Sequence, residues 1–248
     1  MEKIVFVETE KWEEEYIKTA LVEQDVLFFE GKLDQKNVAN FSQATILSPF
    51  IYSTLSKDVL NLLPNLKFIA TRATGFDHID QNFCKENNIQ VANVPTYGEH
   101  AVAEHTFALI LSISRKIIES VERTRRGNFS LEGLAGFELF GKTIGVLGAG
   151  HIGKRVIQIA RCFGMKVLVF TRTKDETLAK SENIAFVSLE ELLNKSDIVT
   201  LHLPHTKETE HIINMGNIDK FKKGSILINT SRGLLVETQA ILEGLDKG

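Results

Sequence analysis

The sequence predicts an α/β protein with parallel sheets covered by helices and divided into two domains. Short apolar runs rich in Val, Ile and Phe alternate with helical segments along most of the chain, which is typical of parallel βαβ units. A glycine motif joins a strand to a helix within residues 143–156. The chain has 248 residues, which is enough for two domains of ordinary size.

The first half of the chain contains five apolar runs that predict strands, separated by polar or amphipathic segments. These runs are residues 3–7, 25–30, 44–48, 66–72 and 89–94. The pattern changes near residues 97–100, where a long helical segment begins. We therefore predict one domain over residues 1–98 and a second over residues 99–248.

The second half begins with a segment of helical periodicity from Glu99 to about Arg126. It is predicted as one long helix that ends at Gly127. A loop with four glycines then leads into a second series of strands and helices. The predicted strands are residues 143–148, 166–170, 197–203 and 225–230, and the predicted helices among them are residues 151–163 and 188–196.

Composition and charge exclude several classes of protein. The formal net charge is −3, so there is no electrostatic reason to expect nucleic acid or an anionic membrane as a partner. Cys84 and Cys162 lie far apart without metal-ligand spacing, which favours a reducing compartment and a cytoplasmic protein. The apolar run 107–114 is too short to span a bilayer, and the N-terminus lacks the pattern of a signal peptide. No histidine is predicted to bind a metal, since His100 and His105 are five residues apart rather than four.

Gly148, Gly150 and Gly153 form a G-x-G-x-x-G motif between a predicted strand and a predicted helix. The first glycine permits a tight turn, the second lets the backbone approach a pyrophosphate, and the third allows close packing of helix and strand. The N–H groups and the positive dipole end of the helix would then hold the phosphates. This context predicts a dinucleotide site.

The strand that follows the glycine motif, residues 166–170, runs into Thr171 and Arg172, and no acidic residue follows before Asp175. An acid at this place usually binds the ribose hydroxyls of NAD. A hydroxyl and an arginine suit a 2′-phosphate better, which favours NADPH, with NADH as the alternative. Arg172 stacking on the adenine edge or pointing into water is the other interpretation.

Four ordered motifs resemble those of the D-isomer-specific 2-hydroxyacid dehydrogenases, and within them the D-lactate dehydrogenase branch. They are "TRATGFDHID" at 71–80, "NVPTYGEHAVAEHTFALIL" at 93–111, "RGNFSLEGLAGFELFGKTIGVLGAGHIG" at 126–153 and "INTSRGLLVE" at 228–237. The resemblance implies a flavodoxin-like substrate domain, a Rossmann-type NAD(P)-binding domain and an active-site cleft between them. It also implies a homodimer formed largely through the helix after residue 99.

The resemblance further implies roles for individual residues. Arg232 is expected to hold the substrate carboxylate and to polarise the keto oxygen, because its planar fork of donors suits an α-keto acid. The backbone N–H groups of Thr74 and Gly75 are expected to bind the same carboxylate, and Tyr97 is expected to lie over the substrate. The implied cofactor-binding residues are Gly148, Gly150, His151, Ile152, Gly153, Thr171, Arg172, Leu203, Pro204, Thr209, Thr230, Ser231 and Arg232.

The expected reaction is hydride transfer between a nicotinamide cofactor and a small 2-keto or 2-hydroxy acid of D configuration. The family's catalytic Glu and His follow the arginine, and their positions are expected past Gly248. The substrate domain's C-terminal return segment and the last strands of the cofactor domain are expected there too. The chain is therefore expected to be C-terminally truncated and inactive by itself. A non-catalytic dinucleotide-binding regulatory module and a truncated pseudoenzyme are the alternatives.

Overall fold

The computed structural model describes residues 2–248, apart from the side chain of residue 181. The chain separates into two compact units, one that ends at Tyr97 and one that runs from Gly98 to Gly248. Each contains one five-stranded sheet in which every neighbouring pair of strands is parallel. No helix within residues 2–248 is long and apolar enough to cross a membrane.

The first unit is a parallel sheet with helices in its connections. Its elements are β1 (Lys3–Val7), α1 (Lys11–Ala20), β2 (Asp25–Phe29), β3 (Ile46–Ser48), α2 (Lys57–Leu60), β4 (Phe68–Ala70), α3 (Gln81–Glu86) and β5 (Gln90–Ala92). The strand order is β2-β1-β3-β4-β5, which is the flavodoxin-like order. All five strands coincide with the apolar runs of the sequence, each one equal to its run or shorter.

The core of the first unit forms where the strands meet the connecting segments. Val7, Leu47 and Ile69 come from three neighbouring strands and are completely buried. They pack in one cluster with Leu33 and Leu55 from the connections. The sheet and its connections therefore share one hydrophobic core, as layered α/β domains do.

The second unit contains the other sheet and six α-helices within the described residues. Its elements are α4 (Glu99–Ser114), α5 (Ile117–Arg125), β6 (Thr143–Leu147), α6 (His151–Cys162), β7 (Lys166–Phe170), α7 (Glu176–Glu182), β8 (Ala185–Phe186), α8 (Leu189–Lys195), β9 (Ile198–Leu201), β10 (Ile226–Asn229) and α9 (Thr238–Lys247), with a few short 3₁₀ turns. The strand order is β10-β9-β6-β7-β8. Counted from β6, this is the 3-2-1-4-5 order of Rossmann folds, so the predicted fold class is confirmed.

Both faces of this sheet are buried. One face packs against α4 and α6 through residues such as Phe107 and Ile157, and the other packs against α8 and α9 through residues such as Leu192 and Ala240. Every residue of β9 is buried. Because both faces are buried, the strand sequences are continuous apolar runs and do not alternate between apolar and polar residues.

The prediction of one long helix after residue 99 is wrong, because the segment forms two helices, α4 and α5. The carbonyl of Ser114 accepts a hydrogen bond from the N–H of Phe137 at 3.0 Å instead of continuing the helix. Gly136 makes this approach possible, since a Cβ at this position would lie 1.9 Å from the same carbonyl oxygen. Lys116 then adopts the left-handed conformation, with φ 54°, and α5 starts in a new direction. A contact distant in sequence therefore ends α4.

Three elements of the second unit were not predicted from the sequence. The helix α7 and the two-residue strand β8 lie between predicted elements, and α9 occupies residues near the end of the chain. The strand β8 is too short to produce a recognisable apolar run. Asp175 is the N-cap of α7, and its side chain accepts hydrogen bonds from the N–H groups of Thr177 and Leu178.

Candidate functional site

The strand order of the second sheet reverses between β6 and β9, whose carboxyl ends lie side by side. In open parallel sheets this reversal leaves a crevice that binds ligands. Gly148 follows β6 and His202 follows β9, and the N–H of His202 donates to the carbonyl of Leu147 at 2.8 Å. The predicted glycine motif therefore lies at the place where the fold favours a ligand.

Each glycine of the motif meets a different demand. Gly148 has φ 99°, and a Cβ there would lie 2.6 Å from the carbonyl oxygen of His202. A Cβ at Gly153 would lie 1.9 Å from the carbonyl oxygen of Gly148, so the helix packs directly on the turn. A Cβ at Gly150 would have no described atom within 4 Å. The fold itself therefore requires Gly148 and Gly153, whereas Gly150 leaves space beside the backbone.

The helix α6 begins at this space and has an uncapped N-terminus. Its N-cap is Gly150, which has no side chain to bind the first N–H groups. The first bond of the helix runs from the N–H of Lys154 to the carbonyl of Gly150 at 2.9 Å. The preceding N–H groups, of His151, Ile152 and Gly153, have no acceptor within the helix, which makes this end an anion site. These residues fit the pyrophosphate of a dinucleotide.

The acid nearest to β7 is engaged by the protein. Asp175 caps α7 with Oδ1, and its Oδ2 accepts a hydrogen bond from Nζ of Lys154 at 2.9 Å. The hydrogen bond from Lys154 and that from the backbone of Leu178 lower the pKa of Asp175. Both carboxylate oxygens therefore have partners within the chain.

Arg172 is exposed on the turn that follows Thr171 at the end of β7. Its positive charge acts on Glu208, from the segment after β9. The pKa of Glu208 is lowered by a hydrogen bond from Thr206, by its own backbone N–H and also by Arg172. The guanidinium therefore lies near one acid of the protein but remains accessible to a ligand.

The segment after β9 contains Leu203, Pro204 and Thr209, which the sequence assigned to the cofactor. The hydroxyl of Thr209 donates to the carbonyl of Pro204 at 2.6 Å and accepts from the N–H of Thr206 at 2.8 Å. Thr209 thus folds the turn from 204 to 209. Leu203 is half-buried and packs with the cluster on the α8 side of the sheet.

His202 is a buried, neutral histidine beside the glycine turn. It is 9% exposed, and its Nε2 lies 2.9 Å from Oγ1 of Thr200. Its Nδ1 has no hydrogen-bond partner among the described residues. Burial lowers the pKa of His202 to about 4. This side chain is therefore uncharged at neutral pH and cannot serve there as a proton donor in its protonated form.

The loop after β10 is held by a residue that the sequence analysis missed. Asn229 accepts from the N–H of Ser231 at 3.0 Å and donates to the carbonyl of Arg232 at 2.8 Å, so its amide spans the loop. Ser231 donates through its hydroxyl to the carbonyl of Leu201 at 2.9 Å, which joins the loop to β9. The only sequence signal for Asn229 is an Asn after an apolar strand, which is typical of a turn.

Arg232 and Thr230 occupy the same loop. The side chain of Arg232 is partly buried, and its Nη1 lies 3.4 Å from the carbonyl oxygen of Ser231. Thr230 lies with its hydroxyl oxygen 3.1 Å from that of Thr106 on α4, a buried residue. The hydrogen bonds of Asn229, Thr230 and Ser231 fix the backbone from which the side chain of Arg232 extends.

The remaining predicted residues belong to the first unit. Thr74 and Gly75 lie in the loop after β4, and Tyr97 is 60% exposed at the end of the unit. The carbonyl of Thr74 accepts from the side chain of Asn93 at 2.8 Å, and that of Ala73 accepts from the N–H of Val94 at 3.1 Å. Within the described residues, the N–H groups of Thr74 and Gly75 donate to no other group.

The structure therefore places the predicted site residues of the second unit at one edge of its sheet. The glycine turn, the segment after β9 and the loop of Arg232 follow the adjacent strands β6, β9 and β10. No group of three or more His, Cys, Asp or Glu side chains in residues 2–248 could hold a metal ion. Fold and site together define a dinucleotide-binding protein of the Rossmann type.

Comparison with known proteins identifies the family. Residues 107–248 match the family model of the "D-isomer specific 2-hydroxyacid dehydrogenase, NAD binding domain". A 2-hydroxyacid dehydrogenase homolog of Haemophilus influenzae is 38% identical over 247 residues, which cover 98% of this chain and 74% of that protein. The D-lactate dehydrogenase of Escherichia coli is 37% identical over 220 residues, which cover 88% of this chain and 67% of that protein.

A solved structure is also similar over almost the whole chain. It is the D-lactate dehydrogenase of Aquifex aeolicus complexed with NAD and lactic acid, with a TM-score of 0.92 and 36% identity, covering 99% of this chain and 74% of that one. The chain belongs to the D-isomer-specific 2-hydroxyacid dehydrogenases. It is an oxidoreductase of this family, with a nicotinamide cofactor and a small 2-hydroxy acid as substrate class.

Proposed function

We propose that the protein interconverts a small 2-keto acid, such as pyruvate, and the corresponding D-2-hydroxy acid. The observation that carries this proposal is the loop of Arg232, which Asn229 and Ser231 fix at the same carboxyl edge of the sheet as the glycine turn. The similarity to D-lactate dehydrogenases supports the choice of substrate. Nicotinamide, when bound, supplies the hydride that adds to the carbonyl carbon of the keto acid.

The residues of this chain then bind and orient the substrate. Arg232 offers a planar fork of donors that holds the carboxylate and polarises the keto oxygen. The N–H groups of Thr74 and Gly75 bind the same carboxylate, and Tyr97 covers the substrate.

In this proposal residues 1–98 form the substrate domain and residues 99–248 the cofactor domain. The free cysteines, Cys84 and Cys162, fit a reducing, cytoplasmic setting.

Oxamate, an unreactive analogue of a 2-keto acid, tests this site by binding alone. In the ¹⁵N-labelled chain with cofactor present, oxamate should shift the amide signals of Thr74 and Gly75. Arg232→Lys keeps the charge but loses the fork, so it should weaken oxamate binding by about tenfold. Where turnover is measured, it should raise KM and lower kcat together. Parental oxamate binding by Arg232→Lys would exclude this role for Arg232.

The cofactor preferred by this site is NADPH in our proposal. Thr171 and the exposed Arg172 follow β7, whereas Asp175, the first acid after β7, already accepts hydrogen bonds through both oxygens, from Lys154 and from the N-terminus of α7. His151 and Ile152 bind the pyrophosphate through their N–H groups, and Leu203, Pro204, Thr209, Thr230 and Ser231 line the rest of the dinucleotide site.

Dissociation constants for both cofactors test this preference. Arg172→Ala should weaken NADPH binding by more than about 1 kcal/mol, the scale of a charge-assisted hydrogen bond, and leave NADH binding nearly unchanged. An equal loss for both cofactors, or tighter NADH binding by the parent protein, would contradict the proposal.

The chain also forms a homodimer in our proposal, through α4 and α5. Five apolar side chains of these two helices are more than a third exposed: Leu109, Ile113, Ile117, Ile118 and Val121. Contiguous exposed apolar residues of this kind mark interaction surfaces. Light scattering after size exclusion should show a dimer for the parent protein and a monomer for Ile118→Asp, with Val22→Asp on another surface as the matched control.

A further inference from the structure

The loop that contains Thr74 and Gly75 follows β4, and Arg72 is its second residue. The general rule for parallel sheets places a ligand where the strand order reverses, which in the first unit lies between β1 and β3. The guanidinium of Arg72 lies at this place. The first unit therefore fills its own crevice with a side chain from the loop beside it.

The contacts of Arg72 connect the ends of three strands. Its Nη2 donates to the carbonyls of Val7 and Glu8 at the end of β1, both at 3.0 Å, and its Nη1 donates to the carbonyl of Ser48 in β3 at 2.7 Å. The N–H of Arg72 donates to the carbonyl of Pro49 at 2.9 Å. One residue thus joins β4 to both strands at the reversal.

The side chain is enclosed on its remaining sides. It is 19% exposed, its Nε lies 3.4 Å from a carboxylate oxygen of Glu13, and its guanidinium carbon lies 5.8 Å from the centre of the Phe6 ring. A lysine would supply the charge but not a rigid planar fork that reaches three carbonyls at once. The arrangement therefore depends on the arginine and not only on its charge.

The other end of the loop is held by different groups. Asn93 and Val94 bind the carbonyls of Thr74 and Ala73, while the N–H groups of Thr74 and Gly75 remain without acceptors in the described chain. With its carbonyls turned toward β5 and its start tied to β1 and β3, the loop has little freedom. Its N–H groups are thereby available for an anion.

We propose that Arg72 is a positioning residue, whose bonds to the ends of β1 and β3 orient the N–H groups of Thr74 and Gly75 toward the substrate carboxylate. Arg72 does not contact the substrate itself. This inference rests on the proposed function, because it assumes that these N–H groups bind the carboxylate. The new element is that Arg72, which lies in the crevice of the first sheet, orients these N–H groups.

The test is an oxamate titration of the ¹⁵N-labelled chain in the presence of saturating NADPH or NADH. Arg72→Lys should weaken oxamate binding by about tenfold and should shift the free-state amide signals of Thr74 and Gly75. Binding of the dinucleotide should be unchanged. Glu13→Gln is the matched control, because it removes the charge near Nε and none of the three carbonyl bonds, and it should bind oxamate like the parent.

The outcomes separate this inference from the proposed function. If the parent chain shows no oxamate effect at Thr74 and Gly75, the carboxylate site fails and the inference fails with it. If the parent binds and folded Arg72→Lys binds equally well, only the role of Arg72 is wrong. Arg72→Gln serves if Arg72→Lys does not fold, and failure of both to fold would show that Arg72 is purely structural and overturn the proposal.

Discussion

In the first unit, backbone N–H groups at the reversal of strand order bind a carboxylate of the protein itself, whereas the second unit leaves such groups for a ligand. Glu8 accepts hydrogen bonds from the N–H groups of Ile51, Tyr52 and Ser53, at 2.8, 2.7 and 2.9 Å, and also from the Ser53 hydroxyl. In the second unit the N-terminus of α6 has a glycine in place of a capping side chain.

The difference shows that one topological feature serves two purposes. Glu8 has φ 61°, a conformation that non-glycine residues adopt only when their contacts stabilise it. Together with Arg72 it turns the crevice of the first sheet into a rigid support for the neighbouring loop. At the corresponding place in the second sheet, Gly148 and Gly153 let backbone pack directly on backbone.

The largest expected effect distinguishes the two kinds of glycine in the second unit. Gly153→Ala places a methyl group against the carbonyl of Gly148 and should destabilise the protein by about 3 kcal/mol or more and abolish dinucleotide binding. Gly150→Ala meets no described atom, so the free energy of unfolding should change by less than about 1 kcal/mol while dinucleotide binding weakens. Urea unfolding and cofactor titration measure both. Equal stability losses would refute the distinction.

The buried His202 predicts an acid-sensitive second unit. Its pKa is about 4 in the folded state against 6.5 ordinarily, so the unfolded chain binds the proton more readily between these values. Its contribution to stability is complete above pH 6.5 and is lost as the pH falls toward 4, by roughly 3 kcal/mol in total.

Urea midpoints measured from pH 7.5 to pH 4 check this expectation. His202→Asn should lose this part of the pH dependence, whereas the matched variant His211→Asn, at a less buried position, should keep it. A parent protein whose stability does not change between pH 6.5 and pH 4.5 would show that His202 titrates normally.

The hydrogen bonds that Glu8 accepts in the first unit predict a smaller effect on stability. Glu8→Gln loses the charge that three N–H groups share, so it should destabilise the protein by about 2 kcal/mol without changing dinucleotide affinity. Glu15→Gln, on the exposed side of α1, is the control and should be neutral. A change in dinucleotide affinity in Glu8→Gln would mean that the two crevices are not independent in function.

The smallest expected effect concerns the ion pair of Lys154 and Asp175. Asp175→Asn removes a charge near the turn of Arg172 and frees Lys154, so NADPH should bind about two- to fivefold more tightly, a change of the size expected from exposed ion pairs. NADH affinity should not change. Lys195→Gln, which breaks an exposed pair with Glu191 on α8, is the control. Weaker NADPH binding by Asp175→Asn would contradict this prediction.

Much of the fold follows from local pattern. Except for β8, the strands of both sheets lie within apolar runs, because buried parallel strands need continuous apolar residues, and the glycine motif lies between a strand and a helix as its spacing predicts. The strand β8 escaped prediction because two residues carry no periodicity. The prediction of a single long helix was wrong because the N–H of Phe137 donates a hydrogen bond to the carbonyl of Ser114. These two residues lie more than twenty positions apart in the sequence.

The sequence by itself determined the class, the family and the residues with distinctive chemistry, such as Arg232 and the glycines of the turn. Only the tertiary structure showed that Asn229 clamps the arginine loop, that Asp175 is engaged and that Arg72 and Glu8 fill the first crevice. The physical reason is that a motif is a spacing along the chain. A hydrogen-bond partner, in contrast, depends on which strand ends lie side by side, and strand order is set by packing of the whole sheet.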